Sequence, residues 1–360
     1  MRKFKVGILG ATGMVGQKFM NLLENHPWFE IKILAASYRS ANKTLEEVLS
    51  YKTNILNISV FEKLKKFEIL DLIRDKKKIA SEVDFVFCAI NINKLETKEL
   101  EESYAKLECP VISNNSANRL EFDIPMVIPE INPEHLEIIE IQKKRLNTKK
   151  GFIAVKSNCS IQCYVPAIHS LLDLNIKNIL VCTYQAISGA GKTFENWSEM
   201  RDNLIPYISG EEEKSEIEPL KIWGKIKDNK IILNNKINIT SQCFRIPITD
   251  GHAAAVFVSF EKKVDNLEEI ISKWNNYNAH IRNLKLPSAP KKFLRYFSEP
   301  DRPQIKYERD LENGMGISIG RLRKDTQFDI KFVSMSHNTV RGAAGGAILL
   351  AELLCYKNYI

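Results

Sequence analysis

The stretch Phe4-Lys5-Val6-Gly7-Ile8-Leu9-Gly10-Ala11-Thr12-Gly13-Met14-Val15-Gly16 decides how the rest of the chain is read. Phe4 to Leu9 is a short apolar run that stops at a glycine, the pattern of a buried strand entering a tight turn. From Met14 to Glu24, Val15, Phe19, Leu22 and Leu23 recur on one helical face, and His26-Pro27 ends the pattern. Glycines at 7, 10, 13 and 16 surround the hand-over. Gly10 and Gly13 there allow a sharp turn and a close backbone approach to a pyrophosphate, which free N–H groups at a helix N-terminus attract. Alone such a loop could be a mere turn; a strand before it and a helix after it favour a dinucleotide site.

The next strand says which dinucleotide. Phe29 to Ala36 reads as a second strand, and between Glu30 and Glu46 there is no acid to hold ribose hydroxyls. Ser37-Tyr38-Arg39-Ser40 stands there instead. Ser37, Arg39 and Ser40 suit the 2′-phosphate of NADP, since a guanidinium flanked by hydroxyls binds phosphate well.

Outward from this start, short apolar runs alternate with helical patterns, which signals a parallel sheet covered by helices. Val83 to Ala89 and Pro110 to Ser113 read as strands, with a helix supported by Leu95, Leu100, Tyr104 and Leu107 between them. Around Gly151 the texture changes. Phe152 to Val155 is a strand running into Ser157-Asn158-Cys159-Ser160, followed by helical spacing at Ile161, Val165, Ile168 and Leu172. Pro166 should kink or break that helix. Strand-like runs follow at Ile179–Tyr184, Lys230–Leu233 and Ala253–Phe260, with a polar, acidic stretch from Ser209 to Glu218 among them. Asn338 to Leu354 reads as a small-residue helix. The fold class expected is α/β: a Rossmann-type parallel sheet domain plus an α+β domain. The border falls at 156/157, and residues 338–360 return to complete the first domain.

Composition agrees with a two-domain globular protein. The chain has 360 residues, 44% hydrophobic and 27% charged, and no apolar run long enough to span a bilayer. The N-terminus is basic, but glycines break the apolar stretch behind it, so it reads as a strand and not a signal peptide. Seven scattered cysteines without metal-ligand or paired spacing read as reduced thiols in a cytoplasm, with no metal site. The net charge of +8 comes from lysines spread along the chain, which fits solvated faces and small anionic substrates better than nucleic acid.

Among the cysteines, Cys159 sits where a strand meets a helix, a place that favours a thiolate and can hold an oxyanion. Of the six histidines, His252 stands out in Thr249-Asp250-Gly251-His252, a turn directly before an apolar strand. Turn positions at strand ends often carry function. Arg245 lies at another strand-like element seven residues earlier. Spacing alone does not bring the three together.

Several separated motifs, in order, carry a resemblance. They are Gly10-Ala11-Thr12-Gly13-Met14-Val15-Gly16, Ser157-Asn158-Cys159-Ser160, Gln185-Ala186-Ile187-Ser188-Gly189-Ala190-Gly191, Arg245-Ile246-Pro247-Ile248-Thr249-Asp250-Gly251-His252 and His337-Asn338-Thr339-Val340-Arg341-Gly342-Ala343-Ala344-Gly345. From end to end the chain resembles the aspartate-semialdehyde dehydrogenases.

The resemblance implies a catalytic and dimerisation domain of the glyceraldehyde-phosphate-dehydrogenase-like kind, and a homodimer or dimer of dimers. It makes Cys159 the nucleophile, His252 the acid/base partner, Gln185 the residue orienting the acyl group and Asn158 the nucleophile's neighbour. Arg245 with Glu218 would bind the amino-acid end, and Arg119 with Lys221 the phosphate. Lys221 follows Glu218 by three, so both would point the same way on a helix. Thr12, Met14, Val15, Ser188, Gly189 and Asn338 would join the cofactor contacts. The glycine often found after the arginine loop is Asn42 here.

The implied reaction is NADPH-dependent reduction of 4-phospho-L-aspartate to L-aspartate 4-semialdehyde with phosphate release, through a thioester on Cys159. It belongs to lysine, methionine and threonine synthesis. The nearest alternatives are reductases of N-acetylglutamyl phosphate or malonyl-CoA, which need no acid to hold a free amino group. A non-enzymatic NADP-sensing protein would have no use for Cys159, Gln185 and His252.

Overall fold

The computed structural model describes residues 3–262, 264, 266–277 and 279–360, so Met1 and Arg2 of the basic N-terminus lie outside it. Six strands form the first sheet: β1 (Phe4–Leu9), β2 (Phe29–Ala36), β3 (Ile69–Asp71), β4 (Phe85–Cys88), β5 (Val111–Ser113) and β6 (Ile153–Val155). Their order is β3-β2-β1-β4-β5-β6, every pair parallel. Val86, Phe87, Val111 and Ile112 are fully buried, as strands covered on both faces must be.

The second sheet contains β7 (Ile176–Gln185), β10 (Asn238–Arg245), β11 (His252–Phe260), β12 (Leu294–Phe297), β13 (Ile317–Lys324) and β14 (Ile330–Ser336). Its order is β10-β7-β11-β14-β13-β12, with β10 and β12 parallel to their neighbours and the other pairs antiparallel. A separate two-stranded ribbon joins β8 (Lys225–Lys227) and β9 (Lys230–Ile232). The α/β class and the parallel first sheet match the sequence reading. Burial alternates strictly along β11, so one face packs inward while Leu180, Cys182, Tyr184, Phe244 and Phe257 stay half-buried on the other. No helix among the described residues is long and apolar enough to cross a membrane.

Three local details depart from the expected elements. The helix after Cys159 does not run through from Ile161 to Leu172. It is a 3₁₀ turn at Ile161–Cys163 and a five-residue helix, Val165–His169, with Pro166 in its first turn, where the missing N–H costs nothing. The acidic stretch becomes a helix, Glu211–Ile222, whose first turn carries Glu211, Glu212 and Glu213; acids there complement the helix dipole. The closing segment is a wide turn at Val340–Ala344 followed by the helix Gly345–Tyr356. That helix packs on β5 and on the helix Met14–Leu23, and its buried Glu352 accepts from His26 Nε2 at 2.8 Å.

The glycine loop shows why glycine is needed at two positions. Gly10 has φ +89°, and a Cβ there would sit 2.3 Å from the Ala89 carbonyl oxygen. A Cβ on Gly16 would sit 2.3 Å from the Gly10 oxygen, whereas one on Gly13 meets nothing nearer than 3.4 Å. Asn42 takes a left-handed φ of +59°, which asparagine tolerates better than most residues, and its Oδ1 accepts from Arg74 at 2.9 Å. Gly16→Ala is expected to cost about 1–3 kcal/mol through overpacking, and Gly13→Ala far less. Urea unfolding midpoints that fall equally in both variants would contradict this account of the loop.

Candidate active site

Cys159 is placed by β6 and the turn after it, His252 by the first residue of β11. Register aligns Ala253 with Tyr184 of β7, and Arg245 with Gln185. The ends of β7, β10 and β11 therefore bring Gln185, Arg245 and His252 to one edge of the second sheet. Cys159 Sγ lies 3.4 Å from His252 Nε2. A Cβ on Gly342 would come within 2.8 Å of the Cys159 Cβ, so the closing segment forms the wall behind the thiol.

The histidine's tautomer follows from its other nitrogen. The Ala186 N–H donates to His252 Nδ1 at 3.1 Å, so Nδ1 is an acceptor and the neutral ring carries its proton on Nε2, facing the sulfur. Burial, reinforced by the Arg245 guanidinium, pushes the imidazole down to about 3. At neutral pH His252 is thus a neutral ring whose Nε2–H is placed to donate a hydrogen bond to the sulfur or to a group bound there.

Helix Glu211–Ile222 delivers two carboxylates to the site. Glu211 accepts from Asn158 Nδ2 at 3.0 Å, from Gln185 at 3.3 Å and from Lys214 at 2.7 Å. Burial raises the Glu211 carboxyl, but Lys214 and these amides outweigh it and leave it below its ordinary value. Glu218, two turns on, accepts from Arg119 at 2.9 Å and from the Asn158 N–H at 2.6 Å. Asn158 Oδ1 takes the Ser160 N–H at 2.7 Å. Arg119 further donates to the Lys156 and Asn114 carbonyls.

Two residues make contacts other than those their implied roles suggest. Glu218 does not pair with Arg245. Its carboxylate is taken by Arg119 and the nucleophile's backbone, and Arg245 donates instead to the Ala186 carbonyl at 2.6 Å. Lys221 spends its ammonium on the carbonyls of Arg119, Glu121 and Ile124 and does not line the cleft. The residues that do line it are Glu211 and Lys214, together with Arg119, Asn158 and Cys159. Both pairs read Glu-x-x-Lys, seven residues apart on one helix, so spacing could not say which faces the cysteine. The helix dipole expected at Cys159 is also absent in practice, because the turn behind it is too short to build one.

A cleft of about 820 Å³ runs from the glycine loop to this site, lined by Gly13, Met14, Val15, Ser188, Gly189 and Thr339. Asn338 stands behind its wall, donating to Ser188 Oγ at 2.9 Å and accepting from the Gly251 N–H at 2.7 Å. Where this cleft meets the cysteine's, both side-chain polar atoms of Asn114 are buried without a partner. At the far end, Arg39 is exposed and donates to Tyr38 Oη. Ser37 accepts the Ser40 N–H through its carbonyl. Lys52, which the sequence reading missed, donates to Thr12 Oγ1 and Ser40 Oγ, both at 3.1 Å, and so ties the glycine loop to the arginine loop.

The chain matches known proteins over its whole length. The family model for the semialdehyde dehydrogenase NAD binding domain covers residues 5–139, and that for the semialdehyde dehydrogenase dimerisation domain covers 168–341. An aspartate-semialdehyde dehydrogenase from Archaeoglobus fulgidus is 41% identical over 99% of this chain and 100% of its own. That of Saccharomyces cerevisiae is 35% identical over 98% of each. A crystal structure of the Candida albicans aspartate semialdehyde dehydrogenase with NADP superposes with a TM-score of 0.88 at 35% identity, covering all of both chains. The chain belongs to the aspartate-semialdehyde dehydrogenase family.

Proposed function

We propose that this chain reduces 4-phospho-L-aspartate to L-aspartate 4-semialdehyde with release of phosphate, through a thioester on Cys159. The observation that carries the reading is the Cys159–His252 contact at 3.4 Å with Arg245 and Glu211 beside it. The thiolate attacks the acyl carbon and phosphate leaves. Arg245, whose guanidinium has no carboxylate partner among the described residues, grips the substrate carboxylate as a planar fork, and Glu211 faces the ammonium. Arg119 and Lys214 face the phosphoryl end. Gln185, held by Glu211 and Thr183, orients the acyl oxygen, and Asn158 fixes the nucleophile's turn. As the C–S bond to the reduced carbon breaks, the carbon's oxygen closes to the aldehyde carbonyl and the Cys159 thiolate is released into the hydrogen bond that His252 Nε2–H donates, the proton staying on the ring.

The cofactor is NADP, supported by the similarity to the NADP-bound Candida albicans protein. The residues present fit it: Gly10, Gly13, Met14 and Val15 offer backbone to a pyrophosphate, and Arg39, Ser37 and Lys52 offer donors to a 2′-phosphate. Asn114 would give its orphaned amide to the nicotinamide carboxamide. When bound, the nicotinamide supplies the hydride to the acyl carbon. Ser188, Gly189 and Asn338 wall that end. We draw the domain border at 156/157 with 338–360 completing the first domain. The half-buried apolar face of the second sheet supports a homodimer, which can pair into a dimer of dimers, in the cytoplasm. An N-acetylglutamyl phosphate or malonyl-CoA reductase is disfavoured because neither substrate offers a free ammonium to Glu211, whose cation in this structure is Lys214.

Two outcomes test this. Adding aspartate semialdehyde and phosphate should drive NADP reduction, and Arg39→Ala should lower kcat/KM for NADP by about tenfold to a hundredfold, the cost of a charge-assisted contact of about 1.5–3 kcal/mol, while NAD use stays nearly constant. NADP and NAD kinetics that fall together would refute the cofactor contact. Second, Glu211→Gln should raise KM for aspartate semialdehyde by about tenfold or more, whereas Lys221→Met should lower the melting temperature and leave KM per folded molecule unchanged. The reverse pattern would favour Glu218 with Arg245 at the amino-acid end and Lys221 with Arg119 at the phosphate, as the resemblance implies.

A further inference from the structure

We propose that Lys156 is the buried counter-cation of the Cys159 thiolate, a positioning residue that acts through the sulfur and does not touch the substrate. The inference rests on Cys159 being the nucleophile, and it comes from counting charges around that residue. Glu218 is neutralised by Arg119 and Glu211 by Lys214. Glu130, on the far side of the closing segment, is neutralised by Arg341 through two short bonds of 2.5 and 2.6 Å. Of the three cations that act on the sulfur, Arg119, Arg245 and Lys156, the last two have no carboxylate within ion-pair distance among the described residues. Arg245 is the fork for the substrate. Lys156 remains.

Lys156 is only 2% exposed and lines the same cleft as Cys159. Its stem packs on Gly346, where a Cβ would come 3.2 Å from the lysine Cδ. Its ammonium donates to the Ser157 carbonyl, leaving further N–H groups for other acceptors. A buried amine without a counter-ion is costly, and the cost falls when an anion forms beside it. The groups facing it are Arg119 from the loop after β5, Glu218 from the helix Glu211–Ile222, Arg341 from the closing segment, and Cys159 itself. Burial, with the Arg119 guanidinium, pushes the amine down to about 7.

The sulfur has the complementary need. Burial and then the Glu211 carboxylate push the thiol up, and Lys156 leads the cations that push it back, ahead of Arg119 and Arg245. His252 cannot serve as an imidazolium partner, because its Nδ1 is occupied as an acceptor and its ring stays neutral. The helical turns that follow Cys159 are three and five residues long, too short to build a dipole at the sulfur. Lys156 is thus the buried amine in the same cleft whose protonated form gains a partner when the sulfur ionises, the two charges forming together.

The test is the pH dependence of iodoacetamide alkylation at Cys159, followed by peptide mass spectrometry on the full chain without nucleotide, substrate or phosphate. Lys156→Met keeps the unbranched stem against Gly346 and removes the charge. Its alkylation midpoint should rise by about one pH unit, an approximately tenfold loss of rate at pH 7, while Lys156→Arg should stay within a few tenths of a unit of wild type. If Lys156→Met does not fold, Lys156→Gln carries the same expectation. A folded neutral variant with the wild-type midpoint overturns the proposal, including the case in which only the KM for phosphate rises and Lys156 is a phosphate ligand. Because alkylation reads the thiol directly, a wild-type chain inactive with aspartate semialdehyde would strike the proposed reaction and leave this result standing.

Discussion

One buried carboxylate ties the nucleophile to both halves of the molecule. Glu218 rises from a helix that packs on β10 of the second sheet. With one oxygen it takes Arg119, from the loop after β5 of the first sheet, and with the other the backbone N–H of Asn158. Removing one partner of such a pair costs about 3–5 kcal/mol, because the other charge is left buried and alone. That commitment is why Glu218 is not free for a substrate ammonium. It also fixes the turn on which Cys159 rides, and the remaining polar bonds at the site build on it. Asn158 then bonds Glu211, Glu211 holds Gln185, and Arg119 reaches two further carbonyls.

On that frame the charges are arranged for anions. The cleft is lined by Arg119, Lys156 and Lys214 against Glu211, with Arg245 and Glu218 close behind, so cations outnumber carboxylates before any ligand enters. A dry, preorganised cation cluster stabilises developing negative charge better than water can, since nothing must reorient as the reaction proceeds. The histidine fits the same logic. A neutral ring with its proton held on Nε2 is a hydrogen-bond donor to the sulfur, and to the thiolate once it is expelled. It adds no further charge to the site.

Much of this was legible in the chain because local patterns are strong where strands are buried on both faces. Phe4–Leu9 and Phe29–Ala36 coincide with β1 and β2, and the glycine spacing marked the loop between β1 and the first helix. Cys159, Arg245 and His252 stood out by motif, and β7–β10–β11 register, which no local signal encodes, is what gathers them. The helix after Cys159 was read too long, because its apolar spacing continues through a break at Tyr164. The roles of Glu218 and Lys221 came from the resemblance alone; the repeated Glu-x-x-Lys sets two pairs on one helix face, two turns apart, and only the docked helix says which pair meets the cleft. Lys52 and Lys156 carried no spacing signal: one acts across forty residues to Thr12, and the other matters only for lacking a counter-ion.

The account turns on a covalent acyl group at Cys159. Incubating the chain with 4-phospho-L-aspartate in the absence of NADPH, then quenching in acid and digesting, would reveal it by peptide mass spectrometry. The expected result is an aspartyl mass on the peptide bearing Cys159, hydroxylamine-labile as a thioester is, and lost on chasing with NADPH before the quench. Turnover with no such adduct, or an adduct on any other cysteine that the NADPH chase consumes, would contradict it.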